Sequence, residues 1–108
     1  MRGYRKYRNQ PVVIDGERFD SKLEAKHYGE IKLREKIGEV SNVIRQPKYD
    51  LIVNDIKVGS YRADHAFYDH VEDKERVVDS KGMDTEASKL RRKLVKAIYG
   101  VDVEVWKK

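Results

Sequence analysis

The chain has 108 residues, which corresponds to one domain with a modest core and excludes a large enzyme of two domains. Charged residues make up 40% of it and hydrophobic residues 39%, so it is rich in charge yet apolar enough to fold. The net charge of +5 favours a polyanionic partner, nucleic acid above all, over an acidic protein or membrane surface.

Cysteine is absent, which excludes disulfides, cysteine-ligated metal centres and cysteine nucleophiles. No apolar run approaches the roughly 20 residues that a membrane span requires, and the opening MRGYRKYRNQ has no apolar segment of the signal-peptide kind. We therefore expect no membrane association and a place in the reducing cytoplasm, that of the host if the protein is viral.

Residues 1–10 are predicted to be a basic, flexible arm that precedes a single domain at 11–108. Cations alternate there with Tyr4 and Tyr7, a composition that suits contacts with phosphates and stacking on bases. A solvated tail without a binding role is the simpler alternative. The candidate nucleic-acid contacts in this arm are Arg2, Arg5, Lys6 and Arg8.

The domain is predicted to begin with a hairpin and a helix. VVIDGERF has the pattern of two short strands around an Asp15-Gly16 turn. Residues 21–37 then predict the first helix, with Asp20 or Ser21 as its cap.

Strands and a second helix follow. VSNVIRQPKYDLIV and IKVGSYRADHAFYD each predict one strand, joined by a tight turn at Asn54-Asp55, and RVVDSKG predicts a third. Residues 85–99 predict the second helix, and VDVEVW alternates as a last strand. The order helix, three strands, helix, strand predicts an α/β fold in which helices flank a central mixed sheet.

Acidic residues interrupt the apolar pattern at three places. At about 100° per residue, Glu24 lies inside the apolar arc formed by Leu23, His27, Tyr28 and Ile31. A carboxylate on a core-facing stripe costs several kcal/mol unless it is paired or binds a cation, so Glu24 needs a partner.

The other two acids lie on predicted strands. Asp64 shares a strand face with Ala66 and Tyr68, and Asp79 shares one with Lys81. Carboxylate ligands suit Mg²⁺ or Mn²⁺, and a neighbouring lysine suits phosphodiester hydrolysis because it can orient water or stabilise developing charge. The simpler alternative for Asp79 and Lys81 is an ordinary salt bridge on one strand face.

With these residues in place, the sequence resembles the PD-(D/E)xK nuclease superfamily. Within it, the chain is most similar to small phage and archaeal-type Holliday-junction resolvases, and to a family of phage nucleases with stretches like DGERFDSKLEAKHY, QPKYDL and KGMDTEASKLRRKL. The likeness covers residues 11–106. Ala63 stands where the superfamily's proline precedes the strand aspartate, and the last acid is aspartate rather than glutamate.

The resemblance implies a restriction-endonuclease-like core with the order α-β-β-β-α-β. It also implies catalytic residues Glu24, Asp64, Asp79 and Lys81, and a Mg²⁺ site, open to Mn²⁺, formed by Glu24, Asp64, Asp79 and Ser80. Ser80 occupies the variable position of the motif.

A basic stripe on the second helix is the main candidate DNA surface. Its members are Lys89, Arg92, Lys93 and Lys96, opposite an apolar side, although most such stripes are merely solvated. Gln46 is similar to a glutamine near the site in the phage family, and a plain polar residue before Pro47 is the alternative. His27, His65 and His70 lack zinc-like spacing, and His27 is predicted to be a core or supporting residue.

The sequence therefore predicts a metal-dependent endodeoxyribonuclease, specifically a Holliday-junction resolvase that acts as a homodimer on branched DNA. Two symmetric nicks need two sites, which a two-fold pair of such small subunits supplies. Two alternatives remain: a PD-(D/E)xK nuclease of the flap, nicking or restriction type, and a nucleic-acid-binding module without catalysis.

Overall fold

The computed structural model describes residues 11–14 and 16–107. The described residues form eight strands and two helices. Their bounds are β1 Val12–Ile14, β2 Glu17–Phe19, α1 Lys22–Lys36, β3 Val40–Arg45, β4 Lys48–Val53, β5 Ile56–Arg62, β6 His65–Asp69, β7 Lys74–Ser80, α2 Glu86–Tyr99 and β8 Val103–Trp106.

A four-stranded mixed sheet forms the centre of the domain, with the strand order β3-β6-β7-β8. Strands β3, β6 and β7 pair in antiparallel fashion, whereas β8 lies parallel to β7. A parallel pair needs a crossover connection, and α2 provides it. The predicted α/β class with a mixed sheet and two helices is thus confirmed.

The two helices pack on opposite faces of this sheet. Val78 belongs to a buried cluster with Ile31 of α1, and its neighbour Val77 belongs to a different cluster with Val95 of α2. Because successive strand residues point to opposite faces, these two clusters lie on either side of β7. The arrangement explains why RVVD reads as a continuously buried strand.

Both helices begin and end where the sequence predicts. Ser21 accepts a hydrogen bond from the Glu24 N–H at the start of α1, and Thr85 accepts one from Ser88 at the start of α2. Gly100 ends α2 with φ +73°, a left-handed conformation that glycine adopts without steric cost. Neither helix of the described residues is long and apolar enough to cross a membrane.

The prediction of two long, unbroken strands is wrong, because each divides in two. The first breaks at Gln46-Pro47, where Gln46 has φ +54° and proline offers no N–H, and the second breaks at Ala63-Asp64. Two hydrogen bonds join the breaks, from the Gln46 N–H to the Asp64 carbonyl (2.8 Å) and from the Ala63 N–H to the Pro47 carbonyl (3.0 Å). The chain therefore crosses from the central sheet to a separate β4-β5 hairpin and back.

The predicted turn of that hairpin is confirmed, since Asn54 and Asp55 both have positive φ, 50° and 64°. The hairpin's far end is apolar and exposed: its large side chains there are 40–64% accessible, and they are Ile52, Val53, Ile56 and Val58. The first hairpin, β1-β2, also forms, with Gly16 at φ +78°, whereas Asp15 lies outside the described residues.

A buried ion-pair network closes the end of the sheet that lies away from Ser80. Asp69 is fully buried and pairs with Arg34 (3.1 Å) and Arg76 (2.8 Å), and it also accepts the N–H groups of Val71 and Glu72. Burial alone would raise the pKa of Asp69, but these donors outweigh it and hold the pKa well below its ordinary value. The charged form of Asp69 therefore stabilises the fold.

We expect Asp69→Asn to lower the free energy of unfolding by about 3 kcal/mol at pH 7, because it leaves two arginines without their carboxylate. Since the folded pKa is depressed, the wild-type advantage exists above the unfolded value of about 3.9 and is lost as pH falls below it. Urea denaturation between pH 3 and 7 measures both effects. An equal difference between the two proteins across this range would contradict the assignment.

Candidate functional site

A cleft of about 670 Å³ opens where the first turn of α1, the end of β5, the end of β7 and the approach to α2 meet. The four residues predicted to be catalytic all line it, although they are spread over 58 positions of the sequence. The lining consists of Asp20, Ser21, Leu23, Glu24, Arg62, Asp64, Asp79, Ser80, Lys81, Gly82, Met83 and Thr85.

Asp64 and Asp79 form a pair of adjacent carboxyl groups. Asp64 lies at the strand break, its N–H donates to the Val78 carbonyl (3.1 Å), and its Oδ2 accepts the Ser80 N–H (2.7 Å). These bonds hold its side chain beside that of Asp79, which is 3% exposed. Burial, followed by the hydrogen bond and the charge of Asp79, raises the pKa of Asp64 well above its ordinary value. The position of Asp64 thus disfavours its charged form.

Two donors converge on the same oxygen of Asp79. The ammonium group of Lys81 lies 3.3 Å from Oδ2, and the hydroxyl of Tyr61 donates a hydrogen bond to it. The main chain of Lys81 is held in place as well, because its main-chain N–H donates a hydrogen bond to the Trp106 carbonyl (3.0 Å). This bond continues the pairing of β7 with β8. The salt bridge considered as the simpler alternative therefore exists, but within a cleft that also contains a second buried carboxyl group.

Glu24 is buried as its position in the apolar arc predicts, with 4% of its surface exposed. Its partner is Arg45, whose Nη2 lies 3.4 Å from Oε2, and the Asp20 N–H donates to Oε1 (3.3 Å). Burial is the largest influence on the pKa of Glu24 and raises it. The guanidinium of Arg45 also stacks on the ring of Phe19, 4.1 Å from its centroid.

The three carboxyl groups line one cleft but are not gathered around one point. Within residues 11–14 and 16–107, no group of three or more histidine, cysteine, aspartate or glutamate side chains is arranged to hold a metal ion. Asp64 and Asp79 are adjacent, whereas Glu24 is engaged by Arg45. The donor set nevertheless fits a hard cation, since it consists of carboxyl oxygens and includes a buried pair whose like charges repel.

Ser80 contacts the opposite side of β7. Its hydroxyl lies 2.6 Å from Nδ1 of His27 on α1, and His27 meets the ring of Trp106 edge-on. His27 is buried, which lowers its pKa and confirms its prediction as a core residue. Ser80 thus offers the cleft its main-chain N–H, already bound to Asp64, and its predicted metal role stays a prediction.

The predicted DNA contacts divide into three groups. Lys89, Lys93 and Lys96 are exposed on α2 and, with Arg92 and residues 101–103, line a groove of about 390 Å³. Gln46 is exposed, and its N–H bond to Asp64 ties its main chain to the site. The third group, Arg2, Arg5, Lys6 and Arg8, lies outside the described residues.

Arg92 differs from the lysines of its stripe. Its side chain is 13% exposed and forms two hydrogen bonds with Asp84 (3.0 and 2.5 Å) and one with the hydroxyl of Ser88 (3.1 Å). Its charge is therefore already paired. Lys89 and Lys96 also form ion pairs, with Glu86 (3.0 Å) and Asp102 (2.7 Å), which leaves Lys93 as the exposed cation of the stripe that has no ion pair within the described residues.

Three residues of the site were not predicted from the sequence: Tyr61, Arg45 and Arg62. Tyr61 reads as an ordinary strand aromatic, and its contact with Asp79 depends on the strand break. The burial predicted for Glu24 indicates that a positively charged side chain lies beside it. The sequence does not show that this side chain is Arg45 rather than one of the other 23 basic residues.

The pairing of Glu24 with Arg45 can be tested by a double-mutant cycle. We expect Arg45→Met to cost about 2 kcal/mol of stability, because Glu24 is then buried without its counter-charge. The double variant with Glu24→Gln should lose about 1 kcal/mol less than the sum of the single variants, as measured by urea denaturation.

Lys57→Met is the matched control, because its pair with Asp50 is about half exposed. Its effect should stay within about 0.5 kcal/mol. Strict additivity of Glu24→Gln and Arg45→Met would show that the two side chains do not interact.

Comparison with known proteins gives one family. Residues 4–107 match the family described as "Protein of unknown function (DUF1064)". Searches of the curated proteins and of the solved structures gave no significant match.

Proposed function

Because the chain belongs to the DUF1064 family, whose description states no activity, we propose its function from the cleft: a metal-dependent endodeoxyribonuclease of the PD-(D/E)xK type. The observation that carries the proposal is the buried carboxyl pair of Asp64 and Asp79 with Lys81 in contact. A buried acid placed beside a second acid, with its pKa raised as a result, is typical of sites that perform chemistry.

The order of the elements supports a restriction-endonuclease-like core. The acid on the first helix is Glu24, the strand aspartate is Asp64 directly before β6, and the Asp-Ser-Lys triplet spans the end of β7, which the crossover helix α2 follows. The split of the first two strands adds the β4-β5 hairpin to this plan without changing the sheet that carries the site.

We propose that Asp64 and Asp79 hold Mg²⁺, or Mn²⁺ in its place, with Glu24 as the third carboxylate once it exchanges Arg45 for the cation. The bound ion would supply a lower pKa for a coordinated water and positive charge beside the phosphate. Lys81 has the position to orient that water and to stabilise charge that develops on the phosphate, because its ammonium group lies beside Asp79 within the cleft.

The distribution of cations supports DNA as the substrate. Arg62 is exposed and lines the cleft, and exposed Lys89 and Lys93 lie on the helix that starts at the cleft. Together with the net charge of +5, they would attract a phosphate backbone.

Branched DNA and a homodimer complete the proposal. Within the described residues, one cleft contains the carboxyl pair, so paired nicks in a four-way junction require two subunits. The exposed apolar end of the β4-β5 hairpin supports contact with a second copy more than with DNA, because Lys57 beside it is already paired with Asp50.

We expect the purified protein to nick a labelled four-way junction symmetrically in Mg²⁺ and to leave linear duplex intact. Asp79→Asn should reduce cleavage to the level seen in EDTA, because it removes one charge of the carboxyl pair. Asp73→Asn is the matched control, since it makes the same change at an exposed position in the turn between β6 and β7, outside both the cleft and the α2 groove. Circular dichroism would establish that both variants are folded.

The same gel separates the alternatives. Preferential cleavage of flaps, nicked DNA or duplex would replace the resolvase by another nuclease of this type. Cleavage that persists in Asp79→Asn would refute the assignment of the site, and tight binding without cleavage in Mg²⁺ or Mn²⁺ would favour a binding module.

DNA contact by the α2 stripe has its own test. Lys93→Ala should weaken junction binding and reduce the slope of log affinity against log salt by about 1, as expected for one lost phosphate contact. Lys74→Ala is the control, because Lys74 is exposed at the opposite end of β7 from Ser80. Equal salt slopes for the two variants would exclude the stripe from the DNA surface.

A further inference from the structure

Tyr61 reaches the proposed cation site from the β4-β5 hairpin. It is the penultimate residue of β5, 5% exposed, and its hydroxyl donates a hydrogen bond to Oδ2 of Asp79. Its ring belongs to the cluster that contains Val77 and Val95, so the aromatic body is held by packing while the hydroxyl reaches the carboxylate. A hydroxyl fixed in this way has little freedom to turn from Asp79.

The phenol is the donor in this contact, because a carboxylate oxygen can only accept. Lys81 lies 3.3 Å from the same Oδ2, so the phenol and the ammonium group together fix that side of the carboxylate.

We propose that Tyr61 is a positioning residue that orients the Asp79 carboxylate for cation binding. The proposal rests on the function proposed above, because it assigns Asp79 to the cation. Neighbours that hydrogen-bond a metal-binding carboxylate fix its orientation, and their removal commonly weakens metal affinity 10- to 100-fold.

The alternative is that the Tyr61 hydroxyl merely satisfies a buried carboxylate and has no influence on the cation. Both views predict some loss of stability in Tyr61→Phe, since a hydrogen bond to a charged group disappears. They differ in the affinity for the metal, which only the positioning role predicts to change.

The experiment is titration of Mn²⁺ into the full-length protein, followed by calorimetry and by the electron paramagnetic resonance signal of free Mn²⁺. We expect Tyr61→Phe to raise the dissociation constant about tenfold or more. The metal concentration for half-maximal cleavage should rise in parallel, while the rate at saturating metal stays near wild type.

Tyr49→Phe is the matched control. Tyr49 is the cross-strand partner of Tyr61 and packs on Tyr99 beside the same core cluster, so it loses a hydroxyl from the same hairpin. Its Mn²⁺ affinity should equal that of the wild type.

The possible failures are distinguishable. If the wild type binds no Mn²⁺, the proposed function fails and the positioning role fails with it. If the wild type binds Mn²⁺ and Tyr61→Phe binds equally well, or if Tyr49→Phe weakens binding as much, Tyr61 is not a positioning residue and the proposed function stands.

Discussion

The paired break in the two long strands determines the geometry of the cleft. The hydrogen bonds between Gln46 and Asp64 and between Ala63 and Pro47 make both chains change direction at one place. On one side of the break, Asp64 enters the central sheet beside Asp79, and on the other, Tyr61 remains on the hairpin and reaches the same carboxylate. A continuous strand pair would keep these residues in one sheet, where they would alternate between its faces.

The two aspartates at the ends of β6 are both buried, but their surroundings shift their pKa values in opposite directions. Asp69 receives two arginines and two main-chain donors, and its pKa is lowered. Asp64 receives one main-chain N–H and a neighbouring acid, and its pKa is raised. Compensation at one end indicates a structural role, and its absence at the other indicates that Asp64 is retained for something besides stability.

Local signals were sufficient to predict most of the secondary structure. The caps at Ser21 and Thr85, the glycine after α2 and the positive-φ turn at Asn54-Asp55 act over a few residues, so the sequence reveals them. The division of the strands was not predicted, although Pro47 was a warning, because its effect depends on pairing with residues about 16 positions away. The contact of Tyr61 with Asp79 was not predicted for the same reason, because it depends on Tyr61 lying in the β4-β5 hairpin rather than in the central sheet.

The candidate site was predictable to the extent that it violates the apolar pattern. Glu24, Asp64 and Asp79 stood out because buried acids are costly, and the fold brings all three to one cleft. Their partners did not stand out, since a cation near a buried acid has no sequence pattern of its own.

The salt bridge and the catalytic interpretation of Asp79 and Lys81 are compatible, because Lys81 contacts Asp79 in both. What separates them is the second acid. An ion pair alone would be satisfied by one carboxylate and one ammonium group, whereas Asp64 adds a buried carboxyl group for which Lys81 supplies no further charge. A divalent cation would favour the charged form of Asp64, because it supplies the positive charge that one lysine cannot give to a second carboxylate, and this is the physical reason to favour metal chemistry in this cleft.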